Sequence, residues 1–215
     1  MPILPLKPLK VAKLVGEVRS QAGEQARLLV VGQDAVSVSD VSDALAHGVP
    51  AGIRDYLVET AVFNGGGMRA ISPAGAAVVI VVASTSELSS DWLKRGLADL
   101  ADGGAQLVLV LSRAPGIEVS FPSAGIGPKR VVSIAPDGRL PADVLAEAVA
   151  DAAGDNAVAV AGQLPSLRQS TCRQLIRRVA RQNGLIGFLF FLPGTDMPVM
   201  TLNEARMVLR IAAAY

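Results

Sequence analysis

Apolar residues along this chain keep two rhythms, and the two alternate. Four short runs are almost continuously aliphatic: RLLVVG at 27–32, AAVVIVVA at 76–83, QLVLVL at 106–111 and RVVSIA at 130–135. Runs of this length, β-branched and bounded by glycine, proline or polar residues, predict strands buried on both faces of a parallel sheet. A further strand is expected over 56–63, with Leu57, Val58, Ala61, Val62 and Phe63 as its apolar positions. Between these runs the spacing lengthens to that of a helix. The spacing predicts helices over 36–47, ended by Gly48-Val49-Pro50, and over 91–102, capped by Ser89 or Ser90 and stopped by Gly103-Gly104. Another, over 141–153, opens at Pro141 and closes at Gly154. Their expected inward faces are Trp92, Leu93, Leu97 and Leu100 in the second, and Val144, Leu145, Ala148 and Val149 in the third. His47 is placed in the last turn of the first, where an imidazole suits the helix dipole.

The two ends of the chain read differently. Residues 9–27 form an amphipathic pattern, with Leu9, Val11, Leu14, Val15 and Val18 set against Lys10, Lys13, Glu17 and Arg19. Such a helix packs on the body or lies on anionic lipid. Residues 164–182 predict a helix that carries Arg168, Arg173, Arg177, Arg178 and Arg181 and no acidic residue. Arg173, Arg177 and Arg181 are four apart and share a face, while Leu167, Leu175, Ile176 and Val179 form another. An apolar run, LIGFLFFL at 185–192, then breaks at Pro193-Gly194. A last helix is expected from Thr201, with Thr201 as N-cap and Glu204 closing a capping box. Leu202, Ala205, Val208, Leu209 and Ala212 are its expected buried face. The alternation of strand and helix predicts an α/β fold: a mainly parallel sheet flanked by helices, with a C-terminal helical subdomain. Three parts follow: an N-terminal amphipathic helix at 1–26, an α/β domain at 27–154 and a helical tail at 155–215.

Composition sharpens this picture in three ways. Hydrophobic residues make up 51% of the 215 positions and mean hydropathy is +0.43, while aromatics are 4%. The core is therefore aliphatic and large, or part of the apolar surface meets a partner or lipid. The net charge of +1 conceals a split: residues 1–155 hold 13 basic and 17 acidic side chains, residues 156–215 hold 7 and 2. One cysteine, Cys172, and one histidine, His47, exclude an internal disulfide, a multi-cysteine metal site and any two-histidine mechanism. Cys172 sits among arginines, which lower a thiol's pKa, but no second catalytic partner is evident in the sequence. No apolar run reaches the roughly 20 residues of a spanning helix and no secretory signal is visible, so a cytoplasmic location is expected, peripheral at the inner membrane face if the tail touches lipid.

A strand that ends in glycine and leads into a helix is where a phosphate-binding loop sits. In the register G-x-x-x-x-G-K-[ST], Gly32 and Ser39 fit, but Ser37 replaces the second glycine and Val38 the lysine. An aliphatic side chain cannot substitute for an ammonium against a triphosphate. The order of elements over 27–154 resembles an Era-like GTPase whose functional positions are lost. Ser112-Arg113-Ala114-Pro115 stands where that family reads guanine with Asn-Lys-x-Asp. Asn64-Gly65-Gly66-Gly67 stands where it has a magnesium-side Asp-x-x-Gly, and Ser133 lies near its later Ser-Ala. The resemblance implies a degenerate P-loop GTPase-like domain. Gly32, Ser39, Gly65 and Gly67 are the remaining candidates for a nucleotide or cofactor site.

The tail carries a second resemblance. Pro193, Gly194, Asp196, Pro198, Thr201, Arg206, Met207, Arg210 and Ala212 are similar to the signature of the YcjF-type domain of unknown function, which occurs beside Era-like GTPase domains. The likeness covers about the last quarter of the chain, and the family's pattern continues past the position of Tyr215. It implies structural roles for these residues, and the chemistry of one carboxylate and two arginines points to a structural bridge from Asp196 to Arg206 or Arg210, not an active site. Together these readings predict a non-catalytic adaptor or scaffold without a cofactor or metal. It docks to a protein partner or a membrane surface through Arg173, Arg177, Arg178 and Arg181. Nucleic acid is not expected, because no aromatic residues interleave the arginines, and nucleotide binding is not expected either. The alternatives are a nucleotide-binding switch or enzyme with a non-standard phosphate site, and a structural homo-oligomer subunit.

Overall fold

A computed structural model describes residues 26–63, 68, 72–112, 119–135, 137–189 and 197–215, and Gly16 upstream of them. Apart from Gly16 and Ala26 the N-terminal pattern at 1–26 lies outside the described residues, as do the Gly65 and Gly67 loop, Pro115, and the Pro193, Gly194 and Asp196 break.

Five strands form one sheet: β1 (Arg27–Gly32), β2 (Val58–Val62), β3 (Ala76–Ser84), β4 (Leu107–Ser112) and β5 (Val131–Ser133). They are parallel throughout, in the order β2-β1-β3-β4-β5. Three of the four aliphatic runs occupy the inner places, because an inner strand of a parallel sheet is covered on both faces, and the fourth, at 130–135, forms the edge strand β5. Successive side chains along each strand go to opposite layers. Leu28, Val30, Val78, Ile80, Val108 and Val110 enter one core. Leu29, Val31, Val79, Val81, Leu107 and Leu109 enter the other. At the edge, β2 exposes Glu59 and Thr60. The expected strand at 56–63 is shorter than its apolar pattern, since Tyr56 and Leu57 end a short helix, α2 (Ala51–Leu57), that runs straight into β2.

One layer of helices covers the first core: α1 (Ala35–Leu45), α4 (Ala142–Ala153) and α5 (Ala157–Gln163), with the end of the tail. α3 (Asp91–Asp102) covers the second through Leu93, Leu97 and Leu100, as its spacing predicts. Trp92 is half-buried and meets Phe63 edge-on, with ring centroids 5.3 Å apart. Arg27, where the N-terminal pattern and the first apolar run overlap, opens β1, as the run at 27–32 predicts. Val144 in α4 was expected to face inward and is 50% exposed. His47 is exposed and lies in the turn beyond α1, not in its last turn.

The tail packs onto this layer. α5 was not anticipated: AVAVAGQ is too short and too uniformly apolar to show a helical period, and its Ala157–Ala161 stretch is buried throughout. α6 (Arg168–Leu189) begins after a single 3-10 turn at Pro165–Leu167, later than the predicted start at 164. α7 (Met197–Ala214) begins four residues before Thr201. Thr201 is therefore inside the helix and is not its N-cap, and the capping-box expectation does not hold. Pro198 falls in the first turn, where a missing N–H breaks no helical bond. The predicted face is also rotated: Val208 and Ala212 are exposed, and the buried residue is Ala214. Gly162 explains how closely α7 approaches α5, because a Cβ there would lie 3.2 Å from the Ala213 carbonyl oxygen. Asn203 Nδ2 donates to Asn183 Oδ1 at 3.2 Å, tying α7 to α6. Arg168 donates to the Ala161 and Gly162 carbonyls and lies 5.6 Å from the Tyr215 ring, so this arginine fastens the chain end. No described helix is long and apolar enough to cross a membrane.

Candidate functional site

In an open parallel sheet, ligands bind beyond the carboxyl ends of the strands where the order reverses. Here the reversal lies between β1 and β3, whose ends are Gly32 and Ser84. Both ends are filled by the chain's own carboxylates. After Gly32 the chain has only Gln33 and Asp34 before α1 begins at Ala35. The Asp34 carboxylate accepts from the N–H groups of Val36 (3.3 Å) and Ser37 (3.2 Å) and from Ser37 Oγ (2.5 Å). Those backbone donors are the ones an anion would use at a helix N-terminus. At β3, Glu87 accepts from the Ser84 N–H (2.5 Å) and from Ser84 Oγ (2.8 Å), closing a capping box. Two carboxylates held this way repel a phosphate and take the donors that would receive it. Replacing Asp34 with alanine is expected to cost about 1 kcal/mol of stability, read by urea denaturation.

Of the nucleotide candidates, Gly32 and Ser39 are among the described residues. Gly32 is buried, and a Cβ on it would lie 2.8 Å from both Val38 Cγ2 and the Val82 carbonyl oxygen. Its glycine is explained by this close approach of strand and helix. Val38, at the lysine position of the phosphate-loop register, is 1% exposed and belongs to the core. Ser39 is exposed on α1. The two-residue turn does not form the wrapping loop that the G-x-x-x-x-G-K pattern describes.

A second region gathers charge. A groove of about 560 Å³ runs between α4, α6 and the 3-10 turn Pro128–Arg130. Its cations are Lys129, Arg177, Arg178 and Arg181; Glu147 and Asp151 stand on its α4 wall, so four positive and two negative side chains leave it net +2. Helical spacing aligns Arg177 and Arg181, and Arg178 faces the same hollow one residue round. Arg173, expected to share this face, is exposed but does not line the groove. The ion pairs here are loose. Arg177 Nη1 lies 3.8 Å from Glu147 Oε1, and Arg178 Nη1 lies 3.6 Å from Asp155 Oδ1, with more than half of each arginine side chain exposed. Exposed pairs of this kind hold their partners weakly. Asp151 is engaged by Arg130 at 3.1 Å. Among the described residues, Lys129 and Arg181 make no ion pair. Lys129 was missed in the sequence because it comes from a separate element; the Pro-Lys-Arg triplet before β5 is the signal that points to it.

Thr201 and Arg206 are exposed and Arg210 is half-buried on α7, and all three are engaged within the fold. Burial pushes the Cys172 thiol up from its ordinary value, against the lowering expected from neighbouring arginines, so the thiolate is disfavoured. His47 lines a separate hollow of about 330 Å³ beside Asp143 and Ser166. Among the described residues, no group of three or more histidine, cysteine or acidic side chains is arranged to hold a metal. No family model, curated protein or solved structure matches this chain.

Proposed function

We propose that this protein is a non-catalytic docking module, an adaptor or scaffold built on an α/β sheet, whose contact surface is the basic face of its helical tail. The observation that carries this reading is the reversal of charge between the two candidate sites. The strand ends where such folds take a ligand are closed by Asp34 and Glu87, while Lys129 and Arg181, with the loosely paired Arg177 and Arg178, collect on the groove beside α6. The likeness of the tail to the YcjF-type domain, and of the sheet domain to a degenerate Era-like GTPase, is compatible with a partner-binding role. Calorimetric titration with GTP and with ATP, each with magnesium, tests the non-catalytic half. The expected result is no heat and no thermal stabilisation at millimolar nucleotide. Micromolar binding would favour a nucleotide-dependent switch with a non-standard site at Gly32 and Ser39.

A homo-oligomer is the second reading, favoured by one observation. Ile53 and Tyr56 on α2, and Val62 on the edge strand β2 that follows it, are about half exposed. Light scattering across a concentration series separates this reading: a mass that rises with concentration supports it.

A further inference from the structure

The sheet edge at β5 is open, and the basic groove runs along it. β5 pairs with β4 alone. Along a strand, successive residues turn their N–H and C=O groups to alternate sides. The Ile134 N–H donates to the Leu111 carbonyl at 2.8 Å, so Ile134 and, two residues earlier, Val132 face β4. Val131 and Ser133 therefore face outward. The Val131 N–H is already taken by the Pro128 carbonyl, and the Ala135 N–H donates to the Arg139 carbonyl at 3.2 Å. Among the described residues this leaves the Ser133 N–H and C=O presented on the open edge. Natural proteins usually cover or charge such an edge.

Two hollows flank it. The basic groove of about 560 Å³ includes Val131, and a second hollow of about 520 Å³ includes Ser133, Ala135 and Arg139. Both include Val144 in their lining, so they adjoin there and together make a track past the strand edge. Val144 is the α4 residue whose position in the helix pattern predicts burial and which stands 50% exposed. An apolar side chain, the Ser133 backbone groups and a net positive lining, Lys129, Arg139, Arg177, Arg178 and Arg181 against Asp143, Glu147 and Asp151, thus lie side by side.

We propose that this track receives an extended acidic segment of a partner protein, which adds to β5 as a sixth strand. This rests on the docking-module reading and states where and how the partner binds. The segment's backbone pairs with Ser133, its acidic side chains on the α6 side meet Lys129, Arg177, Arg178 and Arg181, and an apolar residue packs on Val144. Charge complementarity selects an acidic occupant, and the strand edge selects an extended peptide, since main-chain pairing is the basis of strand addition. A lipid surface offers no backbone to pair with β5 and is flat where the track is concave.

The test uses the full chain and a fluorescent peptide of about ten alternating glutamates and valines, a strand-length probe, followed by anisotropy. Two further peptides carry N-methyl groups on alternate backbone nitrogens, one on each edge. The expected result is saturable binding that weakens with salt and falls by about tenfold or more in the double variant Arg177→Glu, Arg181→Glu. Circular dichroism checks that this variant keeps its fold; both side chains are exposed, and the fold is expected to survive. One methylated peptide is expected to lose binding and the other to keep it. Equal binding of the two overturns strand addition, because charge alone then accounts for the affinity. No binding of the parent peptide at high micromolar concentration overturns the proposal. Sedimentation with phosphatidylglycerol vesicles then decides the wider reading. Vesicle binding that depends on the same arginines keeps a docking module with a membrane partner. Absence of vesicle binding together with micromolar nucleotide binding removes the docking module as well.

Discussion

Replacing Leu109 with alanine is expected to destabilise the protein by about 3 kcal/mol, within the 2–5 typical of buried leucine truncations. Leu109 is fully buried on β4, the strand between β3 and β5, and packs in the layer that α3 closes with Leu93 and Leu97. Removing its three outer carbons costs the transfer free energy of those groups and leaves a cavity, because a sheet pinned on both sides collapses little. Urea denaturation measures the change as a lower midpoint at unchanged slope. A loss below about 1 kcal/mol would mean that β4 is not packed as described. Val144→Ala is the contrast. The helical pattern ranks it with the core residues of α4, yet its exposure leaves about half the contact area to lose. Its expected cost is within about 0.5–1 kcal/mol.

The second large effect is expected at Gly32. Gly32→Ala should cost about 1–3 kcal/mol, the usual range for overpacking. The added Cβ would lie 2.8 Å from the Val82 carbonyl oxygen, and that atom belongs to the backbone of a neighbouring strand and cannot swing aside. Val38 Cγ2 lies equally close from the helix side. The loss is expected in nucleotide-free protein and is unchanged by added nucleotide. This separates a packing glycine from a phosphate-turn glycine, whose replacement would weaken ligand binding more than folding. Ser39→Ala supplies the control, since its side chain is exposed on α1 and the change is expected to stay within about 0.5 kcal/mol. A neutral Gly32→Ala combined with a damaging Ser39→Ala would return the argument to a phosphate site.

The same two residues show how far the candidate chemistry could be read from the chain. Gly32 and Ser39 match the ends of a phosphate-loop pattern, and a pattern is blind to how many residues are taken up by the helix. Asp34 settles that locally: its carboxylate caps α1 and starts the helix two residues beyond the strand. An aspartate before an apolar helical run is a recognisable cap, so this part of the answer was present in the sequence and lost to the stronger-looking motif. The basic groove was partly legible. Spacing on one helix aligns Arg177 with Arg181, but no local signal brings Lys129 to them or shows Arg173 to be outside.

Element type was determined by the sequence at the inner strands and at α3. The inner strands β1, β3 and β4, and the core face of α3, follow directly from runs such as AAVVIVVA and from Leu93, Leu97 and Leu100, because burial on two faces leaves no room for polar side chains. The tertiary structure alone decided which side of a helix is covered and which strand ends a sheet. Val144, Val208 and Ala212 have the chemistry of core residues and are exposed, since no described element covers them. Val131–Ser133 reads like the other strands and stands at the sheet edge, because the chain turns away into α4 and no further strand follows among the described residues. Periodicity records what a residue can bury; the arrangement of the other elements settles what it meets.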